Sequence, residues 1–218
     1  MRVIAVPVKH MERAKGRLAE VLTPLERAAL TLAMLEDVLD ACLDVPGWQT
    51  WVISPDEAVL EVAARRRAMP VIEEEPGLVR AVRQVDDMAS GADALAIVLG
   101  DLPLLTRTAL SDALQTLGAV VAAPAASDGG TNVLVRRPPG IIPPRFGTDS
   151  FRKHREAAGL HDLPFAVARA PELAFDLDVP TDITQLLSAN ARNRTTAACR
   201  EMDLPARLSV SPVPQEAT

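Results

Sequence analysis

Residues 94–99 are six consecutive apolar residues, followed at once by Gly100 and Asp101. A run this short and this uniformly apolar fits a strand covered on both faces, the condition of a strand inside a parallel sheet packed between helices. Similar short runs at residues 3–8, 51–54, 71–72, 119–123, 133–135 and 165–168 read as further strands. Between most of them lie helical patterns. Thr23 and Pro24 form an N-cap with proline at the first helical position, followed by apolar residues at helical spacing through Cys42. Residues 56–67, 78–89, 106–117 and 151–158 read as helices, and a short one ends near Leu187. Strands alternating with helices argue for a three-layer α/β/α fold. There is no internal repeat and no linker, so residues 1–189 read as a single domain. Residues 190–218 are polar, proline-spotted and aperiodic; that tail is expected to be loose or docked on a partner.

Composition narrows the function. A length of 218 residues fits one α/β domain with a sizeable core. A net charge of -6 argues against a nucleic-acid surface, and the absence of tyrosine argues against a stacking platform for single strands. Cys42 and Cys199 have no metal-ligand spacing, which suits a reduced, cytoplasmic protein. The opening run is too short and too polar-flanked for a signal peptide, and no stretch is long enough to span a membrane.

The chemistry sits in two acidic clusters, Gly100-Asp101-Leu102-Pro103 and the segment from Asp176 through Asp178 to Asp182. Each adjoins a short apolar run, and carboxylates at strand ends in an α/β sheet face the ligand crevice. Asp101, Asp176 and Asp178 together would make a hard oxygen site for Mg²⁺, the ion that accompanies nucleotide phosphates. Asp182, after Pro180 and Thr181, reads instead as a helix cap. The loop after the first strand carries Lys9, Lys15 and Arg17, which either meet a triphosphate or form a solvated face. It has neither the P-loop spacing nor Gly-x-Gly-x-x-Gly. Gly129-Gly130-Thr131 and the segment from Phe146 and Gly147 to Ser150 are candidate anion nests, because glycine lets the backbone approach a ligand and Ser150 opens a helix. His154, four residues on, is placed either in the same pocket or on a surface helix face. His10 and His161 form no ligand pattern, and Cys42 falls on an apolar stripe. No hydrolase nucleophile motif is present.

Taken in order, these segments resemble the guanylyltransferases of coenzyme F420 biosynthesis, which act on 2-phospho-L-lactate, phosphoenolpyruvate or 3-phospho-D-glycerate. The resemblance rests on Pro7-Val8-Lys9, Ala14-Lys15-x-Arg17-Leu18, Gly100-Asp101-Leu102-Pro103, Gly130-Thr131-Asn132, Phe146-Gly147-x-x-Ser150-Phe151-x-x-His154 and Asp176-x-Asp178-x-Pro180-x-Asp182, and spans residues 1–187. It implies a mixed, mostly parallel sheet of the nucleotide-diphospho-sugar transferase type. It implies GMP transfer from GTP to a small phospho-acid with release of pyrophosphate, and a product passed to the next transferase of the pathway. By position, Asp101, Asp176 and Asp178 resemble the Mg²⁺ ligands, while Thr131, Gly147 and Ser150 resemble the acid contacts, largely through backbone N–H. Lys9, Lys15 and Arg17 would lie by the GTP phosphates. The base pocket is expected between that loop and the turn at residues 75–78, with Val79 where the family often has Asn. A sugar-phosphate nucleotidyltransferase or glycosyltransferase on the same fold, and a non-catalytic GTP-binding protein, are the other readings. The sequence leaves the oligomeric state open, a homodimer included.

Overall fold

The computed structural model describes residues 1–11 and 14–209. Seven strands form one sheet: β1 (Arg2–Pro7), β2 (Gln49–Ser54), β3 (Met69–Ile72), β4 (Ala94–Val98), β5 (Val120–Pro124), β6 (Thr131–Arg136) and β7 (Phe165–Val167), in the order β3-β2-β1-β4-β6-β5-β7. All run the same way except β6, which lies antiparallel between β4 and β5. The run at residues 94–99 is therefore central, as expected, but parallel only to its β1 neighbour; β6 pairs with it head to tail, Val98 opposite Val133.

Both sheet faces are buried, and the side-chain alternation is strict. Ile4, Val6, Val52, Ala96, Val98, Val133 and Val135 feed one core layer, under α1 (Pro24–Leu43), α2 (Glu57–Arg65) and α4 (Arg107–Gln115). Val3, Ala5, Ile53, Leu95, Ile97 and Leu134 feed the other, under α3 (Leu78–Met88) and α5 (Ser150–Gly159). This is why the strands read as continuous apolar runs: period two survives, but both phases are apolar. The helices start where local chemistry says they should. Thr23 Oγ1 accepts from Glu26 N–H while the Glu26 carboxylate accepts from Thr23 N–H, a complete capping box with Pro24 behind it. Asp56 caps α2 and Thr106 caps α4.

The chain moves from β1 outward to β2 and β3, then returns to place β4 on the other side of β1. The strand order thus reverses between β1 and β4, and the loops leaving their C-terminal ends diverge to open a crevice.

The C-terminal segment corrects the expectation of a loose tail. After the short α6 (Pro171–Ala174) and α7 (Pro180–Ser188) come α8 (Arg194–Glu201) and α9 (Leu204–Ser209). Cys199 and Leu204 join Leu18, Leu22, Leu30, Met34, Leu177, Ile183 and Leu186 in a third apolar cluster. The buried Asp37 carboxylate of α1 accepts from Arg194 N–H (2.9 Å), Thr195 N–H (2.9 Å) and the Thr195 hydroxyl (2.6 Å). The docking side of α8 is thus held by hydrogen bonds to buried Thr195 and by Cys199, which leaves no apolar period to read in the sequence. Residues 210–218 of the expected tail lie outside the described residues. No helix among the described residues is long and apolar enough to cross a membrane.

Candidate active site

One pocket sits at this crevice. Pro7, Val8 and Lys9 come from the end of β1, Gly100 and Asp101 from the end of β4, and Asp176 and Asp178 from the segment before α7. The two acidic clusters meet through the backbone: Leu177 N–H donates to the Asp101 carbonyl at 3.1 Å. Of the residues singled out from sequence, Lys9, Lys15, Asp101, Thr131, Gly147, Ser150, Asp176 and Asp178 line this one pocket. Arg17 does not line it; it is exposed on the turn Gly16–Leu18, close enough to lower the pKa of Asp178.

Lys15 dominates the electrostatics. Its backbone takes the left-handed conformation, φ 54°, and fully buried Leu18 anchors the turn that follows. The ammonium Nζ lies 2.8 Å from Asp101 Oδ2 and 2.7 Å from Asp178 Oδ1. Burial works against that charge, but the two carboxylates outweigh it and hold the pKa above the ordinary lysine value. Burial likewise opposes the Asp178 charge, yet Lys15, with Arg17 and Lys9, keeps its carboxyl below the usual range. Among the described residues Asp176 has no such cation beside it; the Ser127 hydroxyl and Asn132 are its side-chain hydrogen-bond partners. Burial, then Asp101, then Asp178 push it up to about 6. Asp182 is no part of this charge cluster; its carboxylate accepts from Asp178 N–H (2.7 Å) and Val179 N–H (2.8 Å), the capping role expected of it.

The donor set suits a hard divalent cation. Among the described residues that line the pocket, Glu73, Asp101, Asp128, Asp176 and Asp178 face two cations, Lys9 and Lys15. A triphosphate entering this wall would meet net repulsion without an added positive ion. Asp101 Oδ1 is buried with no hydrogen-bond partner, and Asp176 sits next to two like charges. As the side chains stand, no three acidic, histidine or cysteine groups among the described residues are gathered as a ligand set. The Lys15 ammonium takes the position between Asp101 and Asp178.

The opposite end of the pocket is built differently from the expectation. Gly147 has φ 111°, open only to glycine, and no atom lies within 4 Å of where its Cβ would be. Two of the backbone N–H groups read there as anion donors, those of Ser150 and Gly130, are already used. Ser150 N–H donates to Gly147 O (3.0 Å), Phe151 N–H to Gly129 O (3.1 Å) and Gly130 N–H to Asp128 Oδ1 (2.7 Å). What the wall offers here is a pair of hydroxyls: Ser150 Oγ and Thr131 Oγ1 are 3.0 Å apart, and His154 Nδ1 is 3.1 Å from Thr131 Oγ1. His154 lies behind them, fully buried, so of its two expected placements it takes neither the pocket wall nor the surface.

Leu78, at the end of the turn expected beside the base pocket, does line it, and further lining residues carry no sequence motif. Glu73, Leu78 and Ala81 form the wall toward β3 and α3, while Thr31 and Met34 contribute from α1. Val79 is not part of the lining. None of these carries a motif; only the helical phase of α3, which turns Leu78 and Ala81 to one side, could have marked them. Asn132 was quoted only within a motif. It is buried, donates to Leu173 O at 3.0 Å, and also hydrogen-bonds Asp176.

A mixed sheet with carboxylates and lysines gathered at the β1/β4 reversal defines a nucleotidyltransferase fold of the nucleotide-diphospho-sugar transferase type. A solved structure from Desulfovibrio desulfuricans, of a protein proposed to be such a transferase, matches with a TM-score of 0.75, covering 96% of this chain and 98% of that one at 21% identity. A nucleotidyl transferase structure from a Methanothermobacter species matches with a TM-score of 0.66, covering 87% and 97% at 16% identity. Within that class, residues 1–214 match the family described as "Guanylyl transferase CofC like", and the chain belongs to it. The phosphoenolpyruvate guanylyltransferase of Sphaerobacter thermophilus is 41% identical over 190 residues, covering 84% of this chain and 91% of that protein. The 3-phospho-D-glycerate guanylyltransferase of Phenylobacterium zucineum is 33% identical over 198 residues, covering 87% and 91%.

Proposed function

We propose that this protein transfers GMP from GTP to a phosphorylated three-carbon acid in coenzyme F420 biosynthesis, in the cytoplasm and with Mg²⁺, and hands the product to the next transferase of that route. Phosphoenolpyruvate is the favoured acid, since the relatives of that name include the 41% identical one, while 3-phospho-D-glycerate and 2-phospho-L-lactate differ from it by a few atoms. The observation that carries the reading is Lys15 held between Asp101 and Asp178, with Asp176 beside them, at the strand-order reversal.

A phosphate oxygen of the acid attacks the α-phosphorus of GTP in line; the bond from that phosphorus to the bridging oxygen of the β-phosphate breaks, and pyrophosphate leaves with the electron pair. A phosphate monoester is already ionised near neutral pH, so no side chain has to remove a proton. Positioning and charge neutralisation then carry most of the rate. Mg²⁺ held by Asp101, Asp176 and Asp178 would supply Lewis-acid stabilisation of the α-phosphate. Lys15 and Lys9 neutralise the triphosphate, Lys15 exchanging its two carboxylates for phosphate oxygens as the nucleotide enters. Thr131 and Ser150 hold the acid at the far end of the pocket.

The test is pyrophosphate release by the purified protein, with GTP or ATP crossed against the three acids, in Mg²⁺ and in EDTA. Release that requires GTP, one of the acids and Mg²⁺ is the expected result. Equal use of ATP, or no release with any acid, overturns it.

A further inference from the structure

We infer that His154 is a positioning residue that sets the polarity of the acid pocket: it makes the Thr131/Ser150 hydroxyl pair present a hydrogen, not a lone pair, to an anionic oxygen of the substrate. This rests on the reading of the pocket as a phospho-acid site.

The argument is a count of hydrogens. Arg145 N–H donates to His154 Nε2 at 2.9 Å, so that nitrogen keeps its lone pair. Burial, then the nearby charges of Arg136 and Arg145, lower the His154 pKa to about 4, so the ring is neutral at physiological pH. A neutral imidazole whose Nε2 accepts carries its proton on Nδ1. That N–H donates to Thr131 Oγ1, 3.1 Å away. Thr131 and Ser150 own two hydroxyl hydrogens and share one hydrogen bond, at 3.0 Å. One hydrogen is used between them. The other is left over, and both residues line the pocket.

The opposite tautomer would reverse the site. With Nδ1 accepting, the Thr131 hydroxyl would donate to the ring and the Ser150 hydroxyl to Thr131. No hydrogen would remain, and the pocket would present lone pairs to an anion. The backbone N–H of Arg145, an element apart from Thr131 and not touching it, thus decides whether the wall attracts or repels the substrate. The hydroxyls matter all the more because the backbone N–H groups of Gly130, Ser150 and Phe151 are engaged within the chain. Phe146 holds the imidazole ring from the side in an edge contact, ring centres 5.2 Å apart, which keeps the ring from turning.

Three measurements test this on the full-length protein. The first needs no substrate: nitrogen-15 NMR of the histidine side chains, with the His154 signal identified by its loss in His154→Gln, reads the tautomer directly. The Nδ1–H form is expected; the Nε2–H form overturns the inference. In the second, His154→Gln keeps an acceptor near the Nε2 position for Arg145 N–H but places no donor at the Nδ1 position that faces Thr131. It should raise the KM for phosphoenolpyruvate about tenfold while the KM for GTP stays within about twofold, the scale of one hydrogen bond to a charged group. His154→Asn, whose side-chain amide nitrogen can occupy the Nδ1 position, should recover most of that loss. In the third, Thr131→Val should raise the same KM, and adding His154→Gln to it should change nothing further, because His154 acts through that hydroxyl. An unchanged KM for the acid in His154→Gln, a matching rise in the KM for GTP, or multiplicative losses in the double variant each overturn the inference. Failure of the wild type to release pyrophosphate with any acid would instead strike the proposed function, and the tautomer measurement would still stand.

Discussion

Asp176 carries the least stabilised charge in the pocket, and replacing it should make the free protein more stable and less active at once. Burial and the two neighbouring aspartates raise its carboxyl to about 6, against an ordinary value of about 4. Two pKa units correspond to a ceiling of about 3 kcal/mol. The pocket is open to solvent, and screening reduces that to roughly 1–2 kcal/mol. The sign follows from proton counting. Between about pH 4 and 6 the folded state keeps a proton that the unfolded chain has released, so stability falls as pH rises through that window, and the full penalty is present above it. Asp176→Asn removes the ionisation. In EDTA at about pH 7.5 the variant should gain roughly 1–2 kcal/mol, or about 2–8 °C in Tm for a chain of this length. The gap should close as pH falls from 6 toward 4. Urea and thermal unfolding across this range measure it, and a parallel pyrophosphate assay should show most turnover lost with the third carboxylate. A variant no more stable than wild type at neutral pH, or a gap independent of pH, would refute the reasoning that these three carboxylates repel one another.

Lys15→Met leaves Asp101 and Asp178 facing each other with no cation between them; the free protein should lose about 1–3 kcal/mol after allowance for their partial exposure. Millimolar Mg²⁺ should restore part of it in a thermal melt, and a loss indifferent to Mg²⁺ would count against a cation site here. Asp37→Ala strands two N–H groups and a hydroxyl at the start of α8 and should lower stability by about 2–3 kcal/mol; an unchanged urea midpoint would mean that α8 is held some other way. Deleting residues from 190 onward should give insoluble protein, because it uncovers the cluster around Leu30 and Met34. For the base, Val79→Asn should leave the GTP/ATP ratio of kcat/KM within about twofold, whereas Leu78→Asn, on the pocket wall, should shift it. The reverse pattern would put Val79 in the pocket.

Much of this protein was legible in its sequence because much of it is local. Short apolar runs bounded by turns gave the strands, since a strand buried on both faces needs only a few apolar residues in a row. Thr23, Pro24 and Glu26 marked the start of α1, since a cap is made within one helical turn. Asp101 stands out because it follows a buried strand; Asp176 and Asp178, expected at a strand end too, lie instead on the segment between α6 and α7, tied to Asp101 through the Leu177 N–H. The tertiary structure decided what depends on distant partners. The short connection from β5 forces β6 to run against it, but only the fold decides that β6 enters between β4 and β5, since the apolar pattern of a strand does not name its neighbours. That α8 packs at all depends on Asp37, more than 150 positions earlier, offering one carboxylate to three donors. That Lys15 lies between two aspartates, and that His154 backs Thr131 instead of facing solvent, are likewise set by the packing of separate elements. A residue's own type fixes which hydrogen bonds it can make; only the fold brings the partner within 3 Å.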